Sequence, residues 1–208
     1  PVDVYDPATN TWTSKSKTPI ELHHFQAVVH GDAIYMIGAM TGGWPKEKPL
    51  EKIVVYYPEK DEFDFVHTIP ESRRRGGAGS VVYKDKIYIV GGITKGHREG
   101  YQPWLDEYDP KTGAWTPLAD APHARDHFSA AGVDDKLYAS AGRTTSQRTN
   151  QGFDLTVDKC DVYDFALGRW QPKNQSPSIP TQRDGNMAIG VGNHLNVGEA
   201  ESGNQTPA

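Results

Sequence analysis

Cysteine is nearly missing from this chain: Cys160 is the sole one in 208 residues, so no intrachain disulfide can staple the fold. That suits a cytosolic protein, and equally a secreted bacterial one that builds its core without staples. No apolar run reaches the ~20 residues that a transmembrane helix requires. The N-terminus lacks both a basic-then-apolar leader pattern and an initiator Met, so the true start is expected upstream. Surplus positive charge is missing too: the net charge is −5, and basic residues gather only at Arg73–Arg74–Arg75. Nucleic acid or an anionic membrane would demand a basic face, so neither is expected as a partner. What is abundant is Gly (21), Pro (15) and aromatics at 10%, with Tyr the commonest of them. That mixture favours short strands joined by tight turns.

An internal repeat organises these residues. Val4-Tyr5-Asp6-Pro7 followed by Trp12 returns as Val55-Tyr56-Tyr57-Pro58 with Phe63, as Glu107-Tyr108-Asp109-Pro110 with Trp115, and as Val162-Tyr163-Asp164 with Trp170. The tyrosines are 51, 52 and 55 residues apart. Between them recurs Ile34-Tyr35-Met36-Ile37-Gly38-Ala39, then Ile87-Tyr88-Ile89-Val90-Gly91-Gly92, then Leu137-Tyr138-Ala139-Ser140-Ala141-Gly142, with a decayed fourth copy at Leu195-Asn196-Val197-Gly198. A further apolar run precedes each, as at Ala27-Val28-Val29 and Ser80-Val81-Val82. Gly31-Asp32, Lys84-Asp85, Asp134-Asp135 and Gly192-Asn193 suit two-residue hairpins. The Asp-Pro turns suit type I geometry. Four antiparallel strands per ~50 residues is the pattern of a propeller blade.

A Gly-Gly after four apolar residues, a Tyr-Asp-Pro and a Trp about six residues later resemble the signature of kelch-repeat β-propellers over essentially the whole chain. The resemblance implies an all-β, kelch-type β-propeller of four-stranded antiparallel blades, about four blades' worth of strands. It assigns packing roles to the glycine pair and to Tyr35, Tyr88, Tyr138, Trp12, Phe63, Trp115 and Trp170. The chain reads as one arc over residues 1–208: a half blade at 1–15 (strands c and d, counting a to d outward from the axis), full blades at 21–66, 73–118 and 124–171, and a partial blade at 182–208 (strands a and b). The two half blades can complete each other, or the chain can be a piece of a longer six- or seven-bladed protein of bacterial or environmental origin. The second is the expectation. An open arc would expose sheet edges and invite a homodimer.

The a–b and c–d turns lie on one face and the long b–c loops, about 39–51, 93–104 and 142–157, on the other with the d–a connections. Long loops on a rigid scaffold carry recognition. Aligning the repeats puts Leu22, Arg75, Arg125 and Arg183 at one register, His23, Gly76, Asp126 and Asp184 at the next, and His24, Gly77, His127 and Gly185 at the one after. His24, Arg75, Arg125, His127, Arg183 and Asp184 are therefore expected at the mouth of the central channel. They would form a pocket for an anionic or sugar-like ligand, because arginine grips carboxylate and phosphate bidentately. The competing role for the arginines is to tie neighbouring blades through backbone carbonyls or aspartates. Trp44 and Trp104 are candidate loop aromatics that stack on a sugar or cap a loop, and His97, Arg98 and Tyr101 share the second loop. His123-x-x-x-His127 has metal-like spacing only on a helix, so no metal and no cofactor are expected.

No Ser-His-Asp order, nucleophile elbow or paired-carboxylate motif is present. The reading is a non-enzymatic recognition scaffold that binds a protein, peptide or glycan on the b–c/d–a face. The alternative is a sugar-modifying enzyme resembling the sialic-acid mutarotases of the kelch type. Copper oxidase chemistry needs a Tyr crosslinked to Cys, and Cys160 lies in an outer strand.

Overall fold

The computed structural model describes residues 1–44, 46–148 and 155–198. Alternating and fully apolar runs bounded by Gly, Asp and Pro become strands, in order β1 (Asp3–Asp6), β2 (Thr11–Ser14), β3 (Gln26–His30), β4 (Ala33–Ile37), β5 (Met40–Thr41), β6 (Lys48–Pro49), β7 (Lys52–Tyr57) and β8 (Glu62–Thr68). The second blade holds β9 (Gly79–Tyr83), β10 (Lys86–Val90), β11 (Ile93–Lys95), β12 (Glu99–Tyr101), β13 (Leu105–Tyr108) and β14 (Trp115–Pro117). The remainder are β15 (Ala130–Val133), β16 (Lys136–Ser140), β17 (Cys160–Asp164), β18 (Arg169–Trp170), β19 (Met187–Val191) and β20 (His194–Gly198). Among the described residues, helix is confined to two single 3₁₀ turns, Glu71–Arg73 and Lys173–Gln175.

The sheets are β3-β4-β7-β8, β9-β10-β13-β14 and β15-β16-β17-β18, each four-stranded and antiparallel, with two-stranded β1-β2 and β19-β20 at the ends. Among the described residues the end sheets do not pair with each other. Two further hairpins, β5-β6 and β11-β12, stand in the first two b–c loops. The repeat did not announce them, because those loops are where it lapses.

Middle strands are buried on both faces because blades stack against them: β10 is apolar and buried from Ile87 to Val90, and β7 from Ile53 to Tyr56. The a–b turn at Lys84-Asp85 takes positive φ at both residues, 44° and 61°, the geometry whose twist matches the flanking strands. Asp109 holds its c–d turn through its own side chain, Oδ1 accepting from the Lys111 amide at 2.9 Å. Gly91 and Gly92 sit at φ +66° and +101°. A Cβ on Gly91 would stand 2.7 Å from the Arg125 carbonyl oxygen, and one on Gly92 2.9 Å from that of Gly76. Gly91 thus lets the next blade's backbone come close, and Gly92 the start of its own blade's innermost strand.

The aromatic assignments hold for packing, since Tyr35, Phe63, Trp115 and Trp170 lie against the core clusters, but not for full enclosure. Tyr88 is buried, but Tyr35, Tyr138, Phe63, Trp115 and Trp170 are only half-buried. The rings enclosed between blades are instead the c-strand tyrosines Tyr56, Tyr108 and Tyr163. The d strand is the blade's rim, so its Trp covers the core with one edge in water. Trp12, 70% exposed, sits in a sheet that has only β1 beside it.

Candidate functional site at the channel mouth

The register that aligned His24, Gly77, His127 and Gly185 is a hydrogen-bonded arc. All four residues are left-handed, at φ 54°, 61°, 52° and 57°. Each amide after the first donates to the preceding member's carbonyl: Gly77 to His24 at 2.7 Å, His127 to Gly77 at 2.9 Å and Gly185 to His127 at 2.7 Å. Glycine adopts this conformation freely, whereas a side chain there is strained. The two histidines bear that strain and point their rings at a common centre.

A third ring joins them from the second b–c loop. His97 Nε2 lies 3.0 Å from His127 Nε2, and the His24 centroid is 4.5 Å from that of His97 and 4.9 Å from that of His127. Each of these rings is held at its other nitrogen. His97 Nδ1 donates to Glu47 Oε1 at 2.9 Å, from the first b–c loop. His127 Nδ1 bonds Asp126 Oδ1, and Asp126 is itself fixed by the Thr145 hydroxyl at 2.6 Å and amide at 3.0 Å. His24 Nδ1 meets His23 Nδ1, whose far nitrogen faces the Gly42 carbonyl at 2.9 Å. Burial, then the neighbouring histidines, push the His24 pKa down to about 4, and burial lowers that of His97. Against the effect of burial, its own backbone amide and the charge on His97 hold Glu47 below the usual carboxylate range. Burial thus favours the neutral imidazole at His24 and His97. A cavity of about 220 Å³ adjoins it, with His24, His127 and Asn186 on its wall. Both amide atoms of Asn186 are buried there with no partner among the described residues.

The arginines of the preceding register, Arg75 and Arg125, neither reach the cavity nor tie neighbouring blades: each side chain is spent on carbonyls and an aspartate of its own blade. Arg75 gives Nε to the Gly91 carbonyl at 2.6 Å, Nη2 to Ile89 at 3.0 Å and Nη1 to Asp106 at 2.7 Å. Arg125 gives Nη1 to the Ala141 and Lys159 carbonyls at 2.9 and 2.7 Å and Nη2 to Asp161 at 2.7 Å. Both are buried, so neither has surface to offer a ligand. Burial lowers the Arg75 pKa to about 10, which still leaves it charged at pH 7. Asp106 and Asp161 hold equivalent c-strand positions, two residues before Tyr108 and Tyr163. In the first blade that position is Val54, and Leu22, which replaces the arginine, packs against its cluster.

Arg183 is half-buried, with Nε on the Thr181 carbonyl at 3.2 Å, on the wall of a separate cavity of about 400 Å³ beside Tyr138 and Cys160. Asp184 pairs with Arg143. Trp104 lies beneath Arg73 and Arg75, 4.3 and 5.4 Å from their guanidinium carbons, and so caps an arginine stack. Trp44 is 68% exposed. His123 leaves its sequence neighbour His127 and turns to Asp161, Nδ1 to Oδ1 at 2.7 Å. His97 and Glu47 are the site residues that the repeat could not flag, since non-repeating loops supply them.

Outside this cluster the three b–c loops frame a groove of about 700 Å³. Lys46, Lys48, Lys95, Arg98 and Arg148 line it, against the carboxylates Glu47 and Glu99. Glu99 is engaged by Lys95 at 2.9 Å and Arg148 at 2.7 Å.

The Attractin/LZTR1 beta-propeller family matches residues 2–198. "Kelch-like protein terF" of Aspergillus terreus is 29% identical over 211 residues, covering 99% of this chain and 44% of that protein. "Kelch-like protein 40" of Xenopus tropicalis is 28% identical over 161 residues, 77% of this chain and 25% of that one. "Beta-scruin" of Limulus polyphemus is 28% identical over 82% of this chain and 18% of its own length. The chain thus spans less than half the length of these relatives. Among solved structures, "Structure of YjhT" superposes with a TM-score of 0.70 at 15% identity, over 86% of this chain and 59% of that one. At that identity the likeness is one of fold.

Proposed function

Since the chain belongs to the Attractin/LZTR1 beta-propeller family, we propose that it is a non-enzymatic kelch-repeat interaction scaffold whose b–c loop face grips an acidic segment of a partner protein. The observation that carries this is the groove framed by the three b–c loops, with five cationic side chains against two carboxylates on its wall among the described residues. Glu47 is committed to His97 and Glu99 to two cations, so the charge presented outward is positive although the chain as a whole is −5. A chain of like charge is otherwise repelled, so local complementarity selects orientation and partner. The relatives whose names call them kelch-like proteins support a scaffold reading over an enzymatic one. Carbohydrate modification draws no support from Arg75 and Arg125, which are buried and bonded within their own blades.

The test is fluorescence anisotropy with a short Asp/Glu-rich peptide, its neutral amide counterpart and a Lys-rich control. The acidic peptide should bind preferentially. Its affinity should fall with added salt as the Debye length shrinks below ~10 Å, and a Lys46→Glu/Lys48→Glu/Lys95→Glu variant should lose it. Equal binding of all three peptides, or indifference to the triple substitution, would retire the groove as the recognition surface.

A further inference from the structure

We infer that His24, His97 and His127 form a three-histidine site for a divalent transition-metal ion of the zinc class, set at the channel mouth and distinct from the basic groove.

The geometry is that of ligands already gathered. One nitrogen from each ring lies within 4.8 Å of the others, and the His97 and His127 Nε2 atoms are 3.0 Å apart. Zinc–nitrogen bonds of 2.0–2.1 Å in a tetrahedron put ligand nitrogens about 3.3 Å apart, so small ring rotations convert one arrangement to the other. Three imidazoles leave a fourth position for water or a ligand group, as in sites that do more than hold a fold together. The adjoining cavity of about 220 Å³, with the unpartnered amide of Asn186 on its wall, gives that position somewhere to open.

The hydrogen bonding demands something between the rings. A carboxylate only accepts, so Glu47 and Asp126 each fix a proton on the Nδ1 they face. Without a proton between them, rings so held aim their Nε2 lone pairs at each other across 3.0 Å, which is repulsive. A shared proton would relieve that for two rings, but it leaves unexplained why His24 is brought in as a third. A cation bound by all three accounts for the arrangement. A carboxylate on the far nitrogen is also how metal-binding histidines are oriented and made more basic.

The backbone supplies an independent observation. His24 and His127 occupy left-handed positions where Gly77 and Gly185 stand in the alternate repeats. Strain of this kind persists where the surrounding structure holds it for a purpose. It also supplies safe probes, because glycine at these positions is already part of the fold.

Tag-free protein is titrated with Zn²⁺ by calorimetry and with Co²⁺ by visible absorption, alongside His24→Gly, His127→Gly, Glu47→Gln and, as a remote control, the exposed His194→Gln. Circular dichroism verifies that each is folded. Wild type should bind one ion with a dissociation constant of about micromolar or below and show the ligand-field bands of low-coordinate cobalt. Either glycine variant should weaken binding at least ~100-fold, Glu47→Gln about 10–100-fold, and His194→Gln should match wild type. No stoichiometric binding at ~100 micromolar metal, or binding that survives both glycine substitutions, overturns the site.

Discussion

Arg125 and Asp161 offer the sharpest test of what holds the strands of one blade together. Both are buried, joined at 2.7 Å, and each has further duties. Arg125 satisfies the Ala141 and Lys159 carbonyls, and Asp161 accepts from the His123 amide at 3.0 Å and the Ser176 hydroxyl at 2.7 Å. Removing one partner strands a buried charge, which costs about 3–5 kcal/mol. At this chain length each kcal/mol lowers Tm by about 2–4 °C, so Arg125→Leu or Asp161→Val should melt some ~6–20 °C below wild type. The double variant recreates the Leu22–Val54 arrangement of the first blade and buries no charge. Its loss should fall short of the sum of the singles by about 1–3 kcal/mol, the coupling expected of residues in direct contact. The remainder reflects carbonyls and amides that Leu and Val cannot serve, at about 1–3 kcal/mol each. Urea unfolding followed by circular dichroism gives all four corners of the cycle. Singles that cost less than ~1 kcal/mol, or strict additivity, would refute the claim that the pair ties the blade's strands together. Loss of peptide or metal binding without loss of stability would instead return Arg125 to the ligand site.

Three further outcomes follow from the packing. Tyr108→Ala should cost about 3–5 kcal/mol, as a fully enclosed ring does, while Trp12→Ala, 70% exposed, should leave Tm within a degree or so of wild type; thermal melts of the two side by side decide it. Burial raises the pKa of Tyr35, Tyr56, Tyr88, Tyr108 and Tyr163. A raised folded pKa gives stability that is whole below the unfolded value of ~10 and is lost as pH climbs through the folded one. Tyrosinate absorbance should therefore rise in two stages, the later one together with loss of the β-sheet signal; full ionisation of an intact fold would contradict it. Ala141, at φ +63° where the other copies have Gly38 and Gly91, should gain about 0.5–1 kcal/mol on substitution by Gly, read as a higher urea midpoint.

The fold was legible because the repeat writes the same strand four times, so local pattern, turn residues and spacing agree. Burial was less legible: the Tyr of strand b and the Trp of strand d look equivalent to the Tyr of strand c in sequence, and only stacking of blades ranks them. The arginine ties left a mark in the sequence. Leu22 with Val54, against Arg75 with Asp106 and Arg125 with Asp161, is a paired exchange between repeats, and aligning strand c as closely as strand a exposes it. Glu47 and His97 left no such mark, because they stand on loops that do not repeat and are 50 residues apart. His24 and His127 were legible as candidates through their register, which is the register that glycine otherwise holds.

That register also separates tolerated strain from strain that is used. If His24 is merely an imperfect copy of the repeat, its replacement by Gly removes a left-handed side chain and nothing else. Metal-free His24→Gly should then be as stable as wild type or up to about 1 kcal/mol more so, and added Zn²⁺ should move the melting temperatures of both proteins alike. If the strain is held to aim an imidazole, the same gain should appear without metal and reverse with it. A ligand that binds the folded state at 100 times its dissociation constant adds about 2.7 kcal/mol, more than the backbone relief. Wild type should then overtake the variant as Zn²⁺ is added. A crossing of the two melting curves with metal concentration is the outcome expected, and parallel curves would assign His24 to drift in the repeat.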